Sequence, residues 1–192
     1  MQPARLDLPV DSRATNKYSL LLLQEEFAWR PIEAVQATAP LRLTVPAHDL
    51  PGEWPIWCEQ VDGFPDLNRD KNRERGRMVR VIDPDTVEFN DLNGRGRLAS
   101  GGVLVYRKPL DLTGCRVALQ IRIAGQVLDF TTENGGAVIA GLGRVGVTLT
   151  AEQSAAIPLG RGDYDLIVTD SLGELRPVLF GDVFVGRVKC HG

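Results

Sequence analysis

Few side chains in this sequence can attack a substrate, exchange a proton at neutral pH or bind a soft metal. The imidazoles are His48 and His191, and the thiols are Cys58, Cys115 and Cys190. The cysteines are odd in number and widely spaced, with no Cys-x-x-Cys pair, so they read as reduced and mostly buried thiols rather than a disulfide framework or a zinc site. Cys190 and His191 are neighbours at the chain end and would need further ligands from elsewhere to hold a metal. Asp163 and Asp165 flank Tyr164 and share one strand face, as a carboxylate pair for a metal or a glycosidic bond would. Solvent-facing charges opposite a buried Tyr164 and Leu166 explain them at lower cost. Gly141, Gly143 and Gly146 spell the dinucleotide fingerprint but run into the alternating Val145, Val147 and Leu149, which makes a turn and strand of them. Arg161-Gly162-Asp163 is an adhesion-type tripeptide at an expected strand entry, and Ser154 lies outside any nucleophile elbow. The inventory therefore predicts no enzyme, no cofactor and no metal site.

Aromatic residues offer a different chemistry. Trp54, Trp57 and Phe64, beside Pro51, Pro55 and Pro65, could stack on sugars or fill the core of a small β domain; core is the preferred reading, with Trp54, placed in a loop, the member expected to be exposed. Residues 69–80 carry six basic and two acidic side chains and read as a solvated, exposed hairpin tip. A net charge of −3 makes a nucleic-acid backbone a poor partner. No segment approaches the roughly 18 apolar residues that a membrane span requires. Arg5 and Asp7 interrupt the N-terminus too early for a signal peptide, so the expectation is a chain made and kept in the cytosol until released.

The elements that must position these groups read as strands. Tyr18 to Pro31 begins with four leucines and suits either a helix or a strand, ended by Pro31. Leu41 to Val45 alternates; residues 46–52 are rich in turn formers, a strand through Trp54 to Val61 follows, and Asp83-Pro84-Asp85 supplies a turn before Val87 to Asn90. Val117, Leu119, Ile121 and Ile123 alternate with Arg116, Gln120 and Arg122, a half-buried strand with its hairpin partner at Val127 to Thr131. Thr150 and Gln153 form a capping box for one short helix. Residues 162–169 and 175–180 make a hairpin, and 182–188 close the sheet. The expected architecture is mainly β, in two small domains: an N-terminal arm (1–31), a small β-barrel (32–108) and an immunoglobulin-like β-sandwich (109–192), joined near residues 107–114.

The segments Leu43-Thr-Val-Pro-Ala-His-Asp-Leu-Pro-Gly52, Trp54-Pro-Ile-Trp57, Val61 to Asn68, Val81 to Asn90 and Ser100 to Leu104 resemble a small β-barrel module of phage tail proteins, similar to the first catalytic-cysteine half-domain of ubiquitin-activating enzymes. That module has glycine on both sides of its histidine, where this chain has Ala47 and Asp49. The second half, from Asp111 to Arg122, Asp129 to Gly136, Leu149 to Pro158, Tyr164 to Asp170 and Gly181 to Val185, resembles the N-terminal immunoglobulin-like domain of phage upper-baseplate proteins. The resemblance implies a structural virion component in the tail tip or baseplate, made in the host cytoplasm, whose partners are other virion proteins and copies of itself in a ring or trimer. It implies no catalytic residues. The docking element expected from the residues is the arm, through Leu20, Leu21, Leu22, Leu23, Phe27 and Trp29. The alternatives are a receptor- or glycan-binding module using Trp54, Trp57 and Phe64 or the basic hairpin, or a collar or capsid decoration protein.

Overall fold

Short runs of alternating apolar and polar residues punctuated by glycine and proline leave almost no stretch long enough for a helix, and strands result. The computed structural model describes residues 3–187. In chain order its elements are β1 (Ala4–Arg5), β2 (Leu8–Asp11), β3 (Asn16–Leu21), β4 (Leu23–Pro31), β5 (Ala34–Gln36), β6 (Leu41–Thr44), β7 (Glu53–Glu59), β8 (Arg77–Asp83), β9 (Thr86–Phe89), β10 (Val103–Pro109), β11 (Arg116–Ile123), β12 (Gln126–Thr131), β13 (Ala137–Gly141), β14 (Arg144–Leu149), α1 (Ala151–Ala156), β15 (Gly160–Thr169) and β16 (Leu175–Gly186). The chain is mainly β. It forms two compact units: unit 1 combines the chain up to Leu22 with the chain from Leu110 on, and unit 2 is Leu23–Pro109.

Unit 1 has two sheets. One runs β1-β16-β15-β11-β12, with β2 also on β16, and the other runs β13-β14-β3. Strands β1 and β2 lie parallel to β16, and the remaining pairs are antiparallel. Both sheets contribute to one core: Val117, Leu119, Ile121 and Ile123 from β11 meet Val145, Val147 and Leu149 from β14, with Tyr164, Leu166 and Val168 from β15. Each fully buried aliphatic side chain here stabilises by about 2 kcal/mol. The capping box forms as expected, Thr150 N donating to Gln153 Oε1 at 2.8 Å and Gln153 N to Thr150 Oγ1 at 3.2 Å.

Three expectations about this unit are corrected. The described part of the expected arm, residues 3–31, is not an arm: Leu8, Val10, Leu20 and Leu22 are core residues of unit 1, and β4 belongs to unit 2. Alternation explains it, because Leu20 and Leu22 point to one face of an extended chain whose Leu20 lies opposite Val145 of β14. The boundary expected at residue 31 therefore falls at Leu22/Leu23, and unit 2 is an insertion within unit 1. Residues 175–180 and 182–186 are also one strand, with a bulge at Val178 that turns both Val178 and Leu179 inward. Gly181 sits in mid-strand because a Cβ there would come within 2.1 Å of Leu6 O. Val188 lies outside the described residues.

Unit 2 is one curled antiparallel sheet in the order β4-β10-β7-β8-β9-β6-β5. Its inner face carries Leu41, Leu43, Trp54, Ile56, Val79, Val87, Phe89, Leu104 and Tyr106, all at most 1% exposed. The loop between β6 and β7 is fixed by His48, which is fully buried. Its Nδ1 accepts from Leu50 N at 3.1 Å, so the ring proton is on Nε2 and donates to Asp83 O, also at 3.1 Å. Tyr106 Oη donates to His48 O at 2.7 Å. The residues on either side, Ala47 and Asp49, have φ of +52° and +55°.

Candidate functional site

The groups that looked chemical are engaged in structure. His48 holds a loop, as above. Burial pushes the Cys58 thiol up to about 12, far from a reactive thiolate. Burial, with Asp170 and Asp111 nearby, also raises Cys115. Arg122 lies between the two carboxylates of β15, its Nε donating to Asp163 Oδ1 at 2.7 Å and its Nη2 to Asp165. The Arg161-Gly162-Asp163 tripeptide is inside β15, paired with β16 throughout and with β11 at Asp163, and Arg161 is bonded to Asp182 at 2.7 Å. Gly141 ends β13 and Gly143 lies in the turn that leads into β14. Cys190 and His191 lie outside the described residues. Among the described residues there is no cluster of three or more His, Cys, Asp or Glu side chains placed to hold a metal.

The aromatic residues divide by strand parity. Trp54, expected to be exposed, is fully buried because it shares the inward face of β7 with Ile56 and Cys58, and its Nε1 donates to Arg107 O at 2.8 Å. Phe64 is buried as well, with Arg97 5.0 Å from its ring centroid. Trp57 points the other way. On that outward face β4, β10 and β7 align Trp29, Val105 and Trp57 in one row. Of the residues expected to dock, Leu20 and Leu22 are core, Leu21 and Leu23 are half-buried, and Phe27 and Trp29 come together on this face.

Here Phe27 meets Trp57 edge-on at 5.6 Å and Trp29 at 6.2 Å between centroids. Arg107 lies over the Phe27 ring at 4.7 Å, and Lys71 Nζ is 6.0 Å from both the Phe27 and Trp29 centroids. Lys71 also donates to Glu59 Oε1 at 2.8 Å. Trp57 is nearly covered, whereas Trp29 remains 50% exposed.

The basic stretch, read from sequence as a free hairpin tip, folds back over this face. Asp70 N donates to Glu74 Oε2 and Glu74 N to Asp70 O, both at 2.9 Å, while Trp57 Nε1 donates to Glu74 O at 2.8 Å. Arg69 N is tied to Cys58 O at 2.8 Å. Asn68 clamps Val61 through both backbone groups, at 2.8 and 2.9 Å. Between loop and strand end lies a shallow depression of about 380 Å³, lined by Cys58, Glu59, Gln60, Asn68, Arg69 and Asp70. Sequence reasoning missed Gln60, Arg69 and Asp70 as wall residues, since only the fold brings the loop to the end of β7.

Unit 1 has an outward face of another kind. Phe180 and Phe184 of β16 are 40% and 45% exposed, with Asp182 between them accepting from Arg5 and Arg161, each at 2.7 Å. Arg161 lies 5.6 Å from the Phe184 centroid. The Arg161 hydrogen bond holds the Asp182 carboxyl below its ordinary range. No protein-family model matches the chain, and no curated protein matches its sequence.

Proposed function

We propose that this chain is a non-catalytic structural component of a bacteriophage tail or baseplate that joins neighbouring subunits or fibres through the outward faces of its two β units. The observation that carries the reading is the turn around His48. Both residues that stand where the resembled tail module has glycine adopt left-handed backbone, the conformation glycine enters most easily. The remaining support comes from surface chemistry. Trp29, Phe180 and Phe184 are large exposed aromatic residues next to arginine or lysine, the types that dominate protein contacts. Docking by a free N-terminal arm is not part of the proposal, because β1 to β3 are built into unit 1. A virion protein of this kind works in several copies, in a ring or trimer.

The test is a cryo-EM map and mass spectrometry of purified particles. The chain is expected in stoichiometric, symmetry-related copies at the tail end. Its absence from particles would sink the proposal.

A further inference from the structure

Asparagine followed by glycine is the pair at which a main-chain nitrogen most readily attacks a side-chain amide, because glycine has no Cβ to crowd the approach. The chain has two such pairs, Asn93-Gly94 and Asn134-Gly135. The structure treats them differently. Gly94 is buried and its N donates to Thr38 O at 2.8 Å, so that nucleophile is engaged. Gly135 is exposed, and its N has no hydrogen-bond partner among the described residues. Asn93 Oδ1 accepts from Arg95 N at 2.9 Å, whereas Asn134 Oδ1 accepts from two main-chain groups, Thr131 N and Gly136 N, both at 2.9 Å. We infer that Asn134 is a site of self-modification, converted through a succinimide to aspartate and isoaspartate, and that its amide covers the β12 edge until that conversion removes it.

The step is an acyl transfer within the chain. Gly135 N gives its proton to water or hydroxide and bonds to Asn134 Cγ. The negative charge that develops on Oδ1 falls between Thr131 N and Gly136 N, which stand at the separation expected of an oxyanion hole. The Cγ–Nδ2 bond then breaks, and the nitrogen takes a proton from water and leaves as ammonia. Water adds to either carbonyl of the succinimide, giving aspartate by one route and isoaspartate by the other. The sum is one water consumed and one ammonia released, with no oxidant or cofactor.

The same amide holds a strand edge. β12 is the last strand of its sheet. Thr132 N donates to Val117 O, so at alternate residues along the hairpin the main chain faces β11, and the groups of Asp129 and Thr131 face outward. Asn134 meets both, accepting from Thr131 N and donating through Nδ2 to Asp129 O at 2.9 Å. One side-chain amide thus stands where the peptide of a further strand would, over part of an edge otherwise open to pairing. Aspartate keeps the acceptor and loses the donor, which leaves Asp129 O uncovered. Isoaspartate carries the chain through the former side chain, so its carboxylate sits closer to the main chain and Thr131 N loses its acceptor as well. The inference rests on this local geometry and not on the virion reading.

The experiment ages the full-length chain at mildly alkaline pH and follows both asparagines by peptide mapping with mass spectrometry. A second sample aged in urea gives the unfolded reference rate of each pair. In the folded chain Asn134 is expected to convert at least as fast as in urea, and roughly tenfold or more faster than Asn93, within what one preorganised donor supplies. Gly135→Ala, whose Cβ meets nothing within 4 Å in the fold but crowds the attack, is expected to slow conversion of Asn134 several-fold. Hydrogen exchange of the aged protein should show the Thr131 amide less protected than in fresh protein. Slower conversion of Asn134 folded than unfolded, equal conversion of the two asparagines in the folded chain, or an unchanged rate in Gly135→Ala would each overturn the modification site. Unchanged protection of Thr131 in fully converted protein would overturn its link to the β12 edge.

Discussion

Unit 1 and unit 2 are both antiparallel in the main, yet they specify themselves differently. The core of unit 1 is built from Val, Leu and Ile at every second position of β11 and β14, with Tyr164, Leu166 and Val168 from β15, and its outward polar face is tied together by Arg122 and Asp182. The core of unit 2 relies on large residues with a polar handle. Trp54, His48 and Tyr106 are buried, and each is hydrogen-bonded to main chain. Unit 2 also holds Ala47, Asp49 and Gln60 at positive φ, where unit 1 has Ala124. Unit 1 is specified chiefly by hydrophobic pattern, and unit 2 by backbone conformation and satisfied polar atoms.

Truncation in each core should separate these two modes most sharply. Trp54→Ala is expected to cost about 4 kcal/mol and Leu119→Ala about 3 kcal/mol. Hydrogen exchange followed by mass spectrometry should show lost protection in β6 to β10 for the first and in β11, β14 and β15 for the second. Loss of the same strands in both variants would break the comparison.

Close backbone approach is the next test. Gly181→Ala places a Cβ against Leu6 O and is expected to cost about 2 kcal/mol. The amides of Leu6 and Asp182, which bond to Phe180 O and Asp7 Oδ1, should exchange first. If Gly181→Ala leaves them protected, β1 is not held by that contact.

These two tests mark what the sequence could show. The period-two pattern of Val117 to Ile123 and the Thr150–Gln153 capping box are local, and both are present in the structure. The insertion is not local. Leu20 pairs with Val145 across more than a hundred residues, and nothing in either segment names the other. The aromatic site was half legible. Phe27 and Trp29 read as docking residues from the sequence, and parity alone sets Trp54 and Trp57 on opposite faces of β7, but which of those faces is buried depends on the pairing of β7 with β10.

A smaller effect of opposite sign tests the backbone side of the comparison. Ala47→Gly should stabilise by about 1 kcal/mol, because left-handed backbone costs an alanine about that much. Asp49→Gly should gain less, since aspartate tolerates this region better. Thermal melts of both variants should rise, with Ala47→Gly the higher. A fall in both would place the strain elsewhere.

The smallest effect is expected from pH on unit 1. Asp182 has a depressed folded-state pKa, with the Arg161 hydrogen bond as the main cause. Its contribution is therefore present above the ordinary carboxylate pKa and is lost as pH falls through the folded value. Between neutral pH and pH 3, protection of the Leu6 amide should decline, and less so in high salt, where exposed ion pairs are already screened. Asp182→Asn should flatten that dependence.

The point at which the chain leaves and re-enters unit 1 has a consequence for the order of events during synthesis. Leu23 lies opposite Pro109 at the ends of β4 and β10, and Leu110 N donates to Leu22 O. Unit 2 is contiguous and can close as soon as Pro109 has left the ribosome, while β1 to β3 still wait for β11 to β16. Joining the two halves of unit 1 across a disordered loop of roughly 90 residues would cost about 4 kcal/mol of chain entropy. A folded unit 2 removes that cost in advance by holding both ends side by side, so the inserted segment acts as a clasp that delivers the early strands of unit 1 to the late ones.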